Sequence, residues 1–473
     1  MIRATLCTAL TAVLLCPAHA WKLEAANFTT PSTFGGGTFV TVNFRQTYPT
    51  PPVVVALGSN QGGNPADLRI RNVTTTGFDV APVEPASNDG PHIAMNNYYI
   101  AMETGQFALP DGTLIEAGRV DVSASVSGVG APGALQSASF VTAFANPPAV
   151  LADLQTMNNE TGSPPAAPSI AFLTPAVANV SNTGMSLGLE RSEIPNGSVT
   201  ASESMGYIAI AAGAAGTLLD NTGTGVRFES IRTGNVIRGW SDTCVTTNYA
   251  TPFGSAPVVV ATKNSRNETD GGWFRRCAFN ASGIGVEVDE DQATDGERTH
   301  VGERAGILAF ERDFDADLQP DLVVVKQSTV LSDPFNSASN PKRLPGALIE
   351  YRILVTNQGD GAADPRSVVL TDPLPAQTRI VASDIAAPGT GPVALIDGAT
   401  SSGLALSFGG LGSTTDDLQF SNDGASSFIY SPDPDPLGDD AVTHLRVTPS
   451  GIFRGRIDAN APSFELRFRT RVD

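Results

Sequence analysis

The sequence predicts an all-β chain of tandem antiparallel β-sandwiches, on three observations. The chain has 473 residues, with 47 Gly and 34 Pro, 41% hydrophobic residues and only 16% charged ones, and no amphipathic helical run longer than two turns stands out. Such turn-dense, helix-poor composition favours β architecture. The second observation is a recurring hairpin. Leu68-Arg-Ile-Arg-Asn-Val-Thr-Thr-Thr-Gly77-Phe-Asp-Val80 alternates apolar and polar residues on both sides of a turn. Phe274 to Ile284 aligns with Leu68 to Phe78 without a gap, and Asn179 to Met185 aligns with Asn72 to Phe78. The third is a set of landmarks in step with the hairpin. Pro52-Val-Val-Val55, Pro148-Ala-Val-Leu151 and Pro257-Val-Val-Val260 precede it; Tyr99-Ile-Ala101, Tyr207-Ile-Ala209 and Ile307-Leu-Ala309 follow it. A spacing of about 100 residues is too long for a solenoid unit and suits a whole small β-domain.

Taken in order, residues 1–20 read as an export signal: Arg3, an apolar run from Ala4 to Leu15, and Ala18-His19-Ala20 before Trp21. Residues 21–116 form the first repeat. Trp21 to Phe28 and Thr38 to Phe44 are its leading strands, Gly35-Gly36-Gly37 is a loop, and Gly77 is expected at φ > 0 as the hairpin corner. Residues 117–224 repeat that order with a Pro-rich excursion at Gly162 to Pro168, and 225–313 repeat it again. Asp313-Phe-Asp-Ala-Asp317 reads as a solvated linker. Residues 320–473 differ: Leu322 to Lys326, Ile349 to Asn357, Val368 to Asp372 and Phe464 to Val472 are alternating strands in the manner of an immunoglobulin-like sandwich.

Several function classes are excluded or disfavoured by the same residues. A net charge of −19 lacks the basic footprint of a nucleic-acid binder. No segment beyond the leader approaches 18 consecutive apolar residues, so no transmembrane segment is expected. Catalysis finds no support in a G-x-S-x-G, H-E-x-x-H or Cys/His set, and after the leader only His92, His300 and His444 remain. The chain is therefore not expected to be an enzyme.

The candidate site residues lie around the hairpins. Glu84, Asp89 and His92 follow the first hairpin; Asp289, Glu290, Asp295, His300 and Glu303 follow the third. Carboxylates beside a histidine suit Ca²⁺ or sugar hydroxyls, and equally an acidic exposed turn. Asp289, Glu290, Asp295 and Glu303 are the candidate metal ligands. Arg69 and Arg275 are either ligand donors or members of a solvated strand face. Trp273 offers a flat apolar face for a sugar ring, or belongs to the core.

Pro51-Pro-Val-Val54, Leu68-Arg-Ile70, Thr76-Gly-Phe78 and Tyr99-Ile-Ala-Met-Glu103 resemble the H-type lectin domain, a six-stranded sandwich of snail agglutinins and discoidins. The resemblance covers roughly half of each repeat. It implies carbohydrate binding, with the arginine of the Leu-Arg strand (Arg69, and Arg275 in the third repeat) holding a sugar hydroxyl on an exposed binding face. The second repeat has Ala176 there, and the family's Trp-His pair after the Gly-Phe corner is absent from all three. Residues 320–473 resemble the conserved-repeat "domain of unknown function eleven" of prokaryotic surface proteins, through Val-Val-Lys326, Glu350-Tyr-Arg-Ile-Leu-Val-Thr-Asn-Gln-Gly359 and Thr371-Asp-Pro-Leu-Pro375. That implies a bacterial cell-surface, secreted or periplasmic context with this domain as a stalk. Together the resemblances imply an exported adhesion protein binding glycans through tandem lectin-like domains, which self-associate. The competing expectation is a structural surface component that binds no ligand.

Beyond the leader, Cys244 and Cys277 are the cysteines, expected on neighbouring strands. An even pair in an exported chain suggests a disulfide, worth roughly 3–4 kcal/mol by loop closure; two buried free thiols are the alternative. Intact mass should run about 2 Da below that of the reduced chain, whereas two thiols alkylated in the folded protein would exclude the bond.

Overall fold

The computed structural model describes all residues except 1–12, 16–19, 34–38, 86–87, 89–91, 129–133, 161–170, 195–196 and 436. The expected leader (with Arg3 and Cys16), the Gly35–Gly37 and Gly162–Pro168 loops, and Asp89 thus lie wholly or partly outside the described residues. The described chain is all-β, built of mainly antiparallel sheets, none closed into a barrel. It divides into two compact units: Trp21–Phe107 with Thr113–Asp317, and Leu318–Asp473 with Ala108–Gly112 and the segment 13–15.

Within the larger unit each repeat is a sandwich of two sheets. In all three, the Pro-Val strand pairs with the closing strand in one register: Val55 faces Ile100, Leu151 faces Ile208 and Val260 faces Leu308. The upstream and downstream landmarks of the sequence are therefore hydrogen-bonded partners. The second sheet holds the hairpin, Asp67–Arg71 with Gly77–Val83 in the first repeat, Thr174–Ala178 with Gly184–Glu190 in the second, Trp273–Asn280 with Gly283–Asp289 in the third.

The hairpin glycine works differently from the expectation. Positive φ falls on Asn72 and Asn179, at 52° each, not on Gly77. A Cβ on Gly77 would lie 2.4 Å from the Val42 carbonyl oxygen; on Gly184, 2.3 Å from that of Ala138; on Gly283, 2.7 Å from that of Thr247. The glycine is required because the partner strand passes too close for a side chain. A loop clasps each corner through an aromatic pair four residues apart: Phe44 and Tyr48, Phe140 and Phe144, Tyr249 and Phe253, with ring centroids 5.2, 5.1 and 4.9 Å apart.

Strands lie at the repeat boundaries, and Phe314–Leu318 is one of them where the sequence predicts a solvated linker at Asp313–Asp317. Gly105–Ala108 extends the sheet of the second repeat beside Leu114–Val122, so the expected boundary at residue 116 falls inside a strand. Ala215–Leu219 extends the third repeat beside Gly225–Arg232. The corresponding place in the first repeat is taken by Phe314–Leu318, which returns from the end of the third repeat to pair with Trp21–Thr30. Each Pro-Val strand then packs on the closing strand of the next repeat: Val53–Leu57 on Glu203–Ile210, Ala149–Leu154 on Ala305–Phe310, Val258–Lys263 on Met95–Met102. The result is a closed ring of three sandwiches about a pseudo-threefold axis.

Cys244 and Cys277 form a disulfide with Cα atoms 5.9 Å apart. Their strands are not neighbours, as expected from the sequence, but flank Gly283–Asp289, and the bond passes over Gly285, where a Cβ would sit 2.6 Å from Cys244 Sγ. Cys277 occupies a β-bulge between Arg276 and Ala278, which the gapless sequence alignment conceals.

The smaller unit packs two main sheets over one core that includes Ile353, Val355, Leu370, Phe420, Phe453, Phe464 and Phe468. Leu322–Ser332, Leu348–Asn357 and Ser463–Val472 run side by side in one sheet; Val369–Pro373, His444–Val447 and Leu418–Ser421 form most of the other, with residues 13–15 pairing against Val369 to Thr371. The motif residues have internal uses. Lys326 and Asp372 form a buried ion pair at 2.8 Å, with the ammonium 4.9 Å from the Tyr351 ring centroid. Asn357, fully buried, accepts from the Asp321 and Gly359 amides and donates to the Gly361 and Arg454 carbonyls.

Candidate functional site

The strand arginines are not on an exposed binding face. Arg69 is buried, and its Nε donates to both oxygens of Glu160 of the second repeat, at 2.8 and 3.1 Å. Its Nη1 donates to Asp67 at 3.0 Å, and the guanidinium lies 4.4 Å from the Phe172 ring centroid. Arg275 is buried as well. It pairs with Asp289 at 2.7 Å and donates to the Ser59, Gln61 and Asn64 carbonyls of the first repeat. Both arginines therefore join repeats; their donors are directed inward because the strand face they occupy is an interface and not a surface.

Trp273 is buried at the junction of all three repeats, among Ala81, Val83, Phe172 and Ile194, and its indole N–H donates to the Ala66 carbonyl at 2.8 Å. His92 and His300 are buried too. The His92 Nδ1 lies 3.0 Å from the Ile93 carbonyl oxygen, and the His300 ring lies between the Val301 and Gly271 carbonyls at 2.8 Å each. Burial is the first cause lowering both imidazole pKa values. None of the five sequence candidates presents its polar atoms to solvent as a ligand face requires.

The four candidate metal ligands do not converge. Asp289 is held between Arg275 and Arg298. Glu303 accepts from the Asn267 amide at 2.8 Å and the Ser265 hydroxyl, and faces Lys263 at 3.7 Å. Asp295 is exposed and caps the Glu297 amide. Glu290 is 3% exposed, neither carboxylate oxygen is hydrogen-bonded among the described residues, and burial pushes its carboxyl up to about 9. Among the described residues the one cluster with metal-ligand spacing is Cys244, Cys277 and Glu287, and its sulfurs are consumed by the disulfide.

A different site emerges between the third and first repeats. At the two other interfaces, glycines let the strands meet: a Cβ on Gly206 would lie 2.9 Å from Val53 Cγ1, and one on Gly306 would lie 2.4 Å from the Val150 carbonyl oxygen. Amide side chains staple those junctions. Gln155 exchanges two hydrogen bonds with the Val54 backbone, and Asn264 does the same with Val150. In the first repeat the glycine position carries Tyr98 and the amide position carries Ser59, too short to staple. The interface opens there into a groove of about 460 Å³.

Asn60, Gln61, Asn96, Tyr98, Arg276 and Phe279 line it, with Asn27, Thr29 and Cys277 at its margin. Tyr98 is half-buried and Phe279 is 43% exposed, their rings edge-to-face at 5.9 Å. The amides are held in place by only part of their hydrogen-bonding capacity. Asn60 Nδ2 donates to Glu287, Gln61 Oε1 accepts from Ser59 and from the Asn96 amide, and Asn96 Oδ1 accepts from Thr29. Asn60 Oδ1, Gln61 Nε2 and Asn96 Nδ2 remain outside these bonds. One acceptor and two donors thus stand fixed beside an aromatic face, a set suited to hydroxyl groups on a flat apolar ring.

The groove residues sit at loop and strand positions that differ among repeats, so no recurring pattern in the sequence marks them. The detectable signal was the departure: Tyr98 against Gly206 and Gly306, and Arg276 against Ile70 and Val177. No family model, curated protein or solved structure matches the chain.

Arg69→Met should destabilise the repeat unit by roughly 3–5 kcal/mol, because it leaves Glu160 buried without its counter-charge. Chemical denaturation measures this, and Arg69→Met with Glu160→Gln should recover part of the loss. A second expectation concerns pH. The Glu290 carboxyl is raised above its unfolded value, so its stabilising contribution is complete below about pH 4.5 and is lost as pH rises towards about 9. Over that window it adds a downward slope approaching ~1.4 kcal/mol per pH unit. Glu290→Gln should raise the melting temperature at pH 8 and make its pH dependence shallower; an unchanged profile would mean that the carboxylate is solvated.

Proposed function

We propose that this is an exported carbohydrate-binding protein, acting in adhesion at a bacterial surface, whose sugar site is the groove between the first and third repeats. The observation that carries this reading is the groove's composition: fixed amide donors and an acceptor flanking the exposed Phe279 and half-buried Tyr98 rings. Sugars offer this combination in reverse, with hydroxyls around the rim of a ring whose C–H face is apolar. The arginine position of the lectin resemblance does not take part; Arg69 and Arg275 hold the ring together. Further copies of the chain, rather than three sites within one, would supply the multivalency that weak sugar binding needs for adhesion. The immunoglobulin-like unit acts as a stalk or spacer.

One observation favours the scaffold reading instead: the arginines that the resemblance assigns to sugar are spent on inter-repeat contacts. A glycan array with the full chain separates the two. Phe279→Ala should weaken binding of any array hit about tenfold, the equivalent of roughly 1.4 kcal/mol, with at most a small drop in melting temperature, since the ring is 43% exposed and packs on Arg276 and Tyr98. Tyr98→Gly, which installs the residue of the other two repeats, should weaken it at least as much. Absence of binding to every glycan class at millimolar concentration would leave the scaffold reading.

A further inference from the structure

Arg276 differs from the other buried arginines of the ring. Arg69, Arg266, Arg275 and Arg298 each meet a carboxylate within hydrogen-bonding distance. Arg276 is 4% exposed and, among the described residues, has no carboxylate within 4 Å. Its Nη2 donates to the Asn96 carbonyl at 2.8 Å, its Nη1 has no hydrogen-bond partner, and its guanidinium lies 4.3 Å from the Tyr98 and 4.2 Å from the Phe279 ring centroid. It also occupies a position where the aligned residues, Ile70 and Val177, are apolar and inward-facing. Among the described residues, Arg276 is thus the buried arginine without a carboxylate partner, and it borders the groove.

A buried guanidinium bears the cost of desolvation unless an anion or several acceptors compensate it. The two aromatic faces, the Tyr98 hydroxyl and one carbonyl compensate only in part. The carboxylates bonded to groove residues are engaged there: Glu287 accepts from Asn60, and Asp313 from Asn27. A planar oxyanion on the ligand would complete the set through charge-assisted hydrogen bonds, the interaction for which guanidinium geometry is best suited.

We propose that the groove selects an acidic saccharide, whose ring lies against Phe279 and Tyr98 and whose carboxylate is paired by Arg276. This rests on the carbohydrate reading and narrows it to an anionic sugar. The shared chemistry is an oxyanion on a sugar ring, which a uronic-type carboxylate or a sulfate ester would supply.

The test is calorimetric titration of the full-length chain with four matched oligosaccharides: a uronic acid form, its methyl ester, the neutral hexose parent and the 6-sulfated parent. The carboxylate form should bind at least tenfold more tightly than the neutral parent and the methyl ester, and added salt should shrink the difference. Arg276→Met should abolish that preference, leaving the carboxylate form, its methyl ester and the neutral parent within a few-fold of one another. If that variant fails to fold, Arg276→Lys, which keeps the charge but loses the planar fork, should reduce the preference without removing it. Equal affinity for all four forms would overturn the anion assignment and leave carbohydrate binding standing. Preference for the sulfate ester would support the oxyanion pairing and identify sulfate as its source. Absence of binding by all four, together with an empty glycan array, would remove the carbohydrate reading and the anion assignment together.

Discussion

A charge buried between two sandwiches must find its counter-charge there, and this constraint organises the repeat unit. Arg69 from the first repeat meets Glu160 from the second; Arg266 from the third meets Glu190 from the second. Arg275 from the third repeat satisfies three carbonyls of the first while Asp289 neutralises it. Desolvating such groups is expensive, and leaving one unpaired is more so. None of the three sandwiches can therefore be separated without exposing or orphaning ions that its neighbour completes. The three sequence repeats pack as one compact unit, and the strand Phe314–Leu318, returning to the first repeat, closes it.

Closure imposes near-symmetry, and the departures from symmetry are where chemistry becomes available. Two junctions are sealed by a glycine and a stapling amide. The third has Tyr98 and Ser59 at those positions, and the seam widens into a groove. The disulfide adds to the difference: it crosses Gly285 and fixes the bulge at Cys277, next to Arg276 and two residues before Phe279. A ring made of three identical interfaces would have three sealed seams. The groove lies where one copy of the repeat differs at a packing position, with Tyr98 where the others have Gly206 and Gly306.

The smaller unit illustrates the same physics in its motif residues. Lys326, Asp372 and Asn357 stand out in the sequence as polar residues in apolar strands. Each is accounted for by pairing inside the core or by binding loop backbone, with no surface role needed. Polar residues that recur in a strand pattern are, in both units, more often internal fasteners than ligand contacts, since a buried polar group must be satisfied wherever the backbone places it.

By itself the sequence determined the all-β class, the recurring hairpin and the landmarks that turn out to pair. Alternation and turn residues are local, and Val55 opposite Ile100 recurs as Leu151 opposite Ile208 and Val260 opposite Leu308 because the same spacing closes the same sheet. It also offered Cys244 and Cys277 as a pair. Only the tertiary structure decided which faces are buried. Arg69, Arg275, Trp273, His92 and His300 look like surface groups in a half-exposed strand or loop, and become interior when a second sandwich covers them. Asp289, Glu290, Asp295 and Glu303 are neighbours along the chain, but the strand and loop turn them towards different partners. The groove is absent from any local pattern because its walls come from residues near 60, 97 and 277, brought together by ring closure. Burial and convergence are properties of packing between distant segments, and a pattern read along the chain carries no information about what will lie across from it.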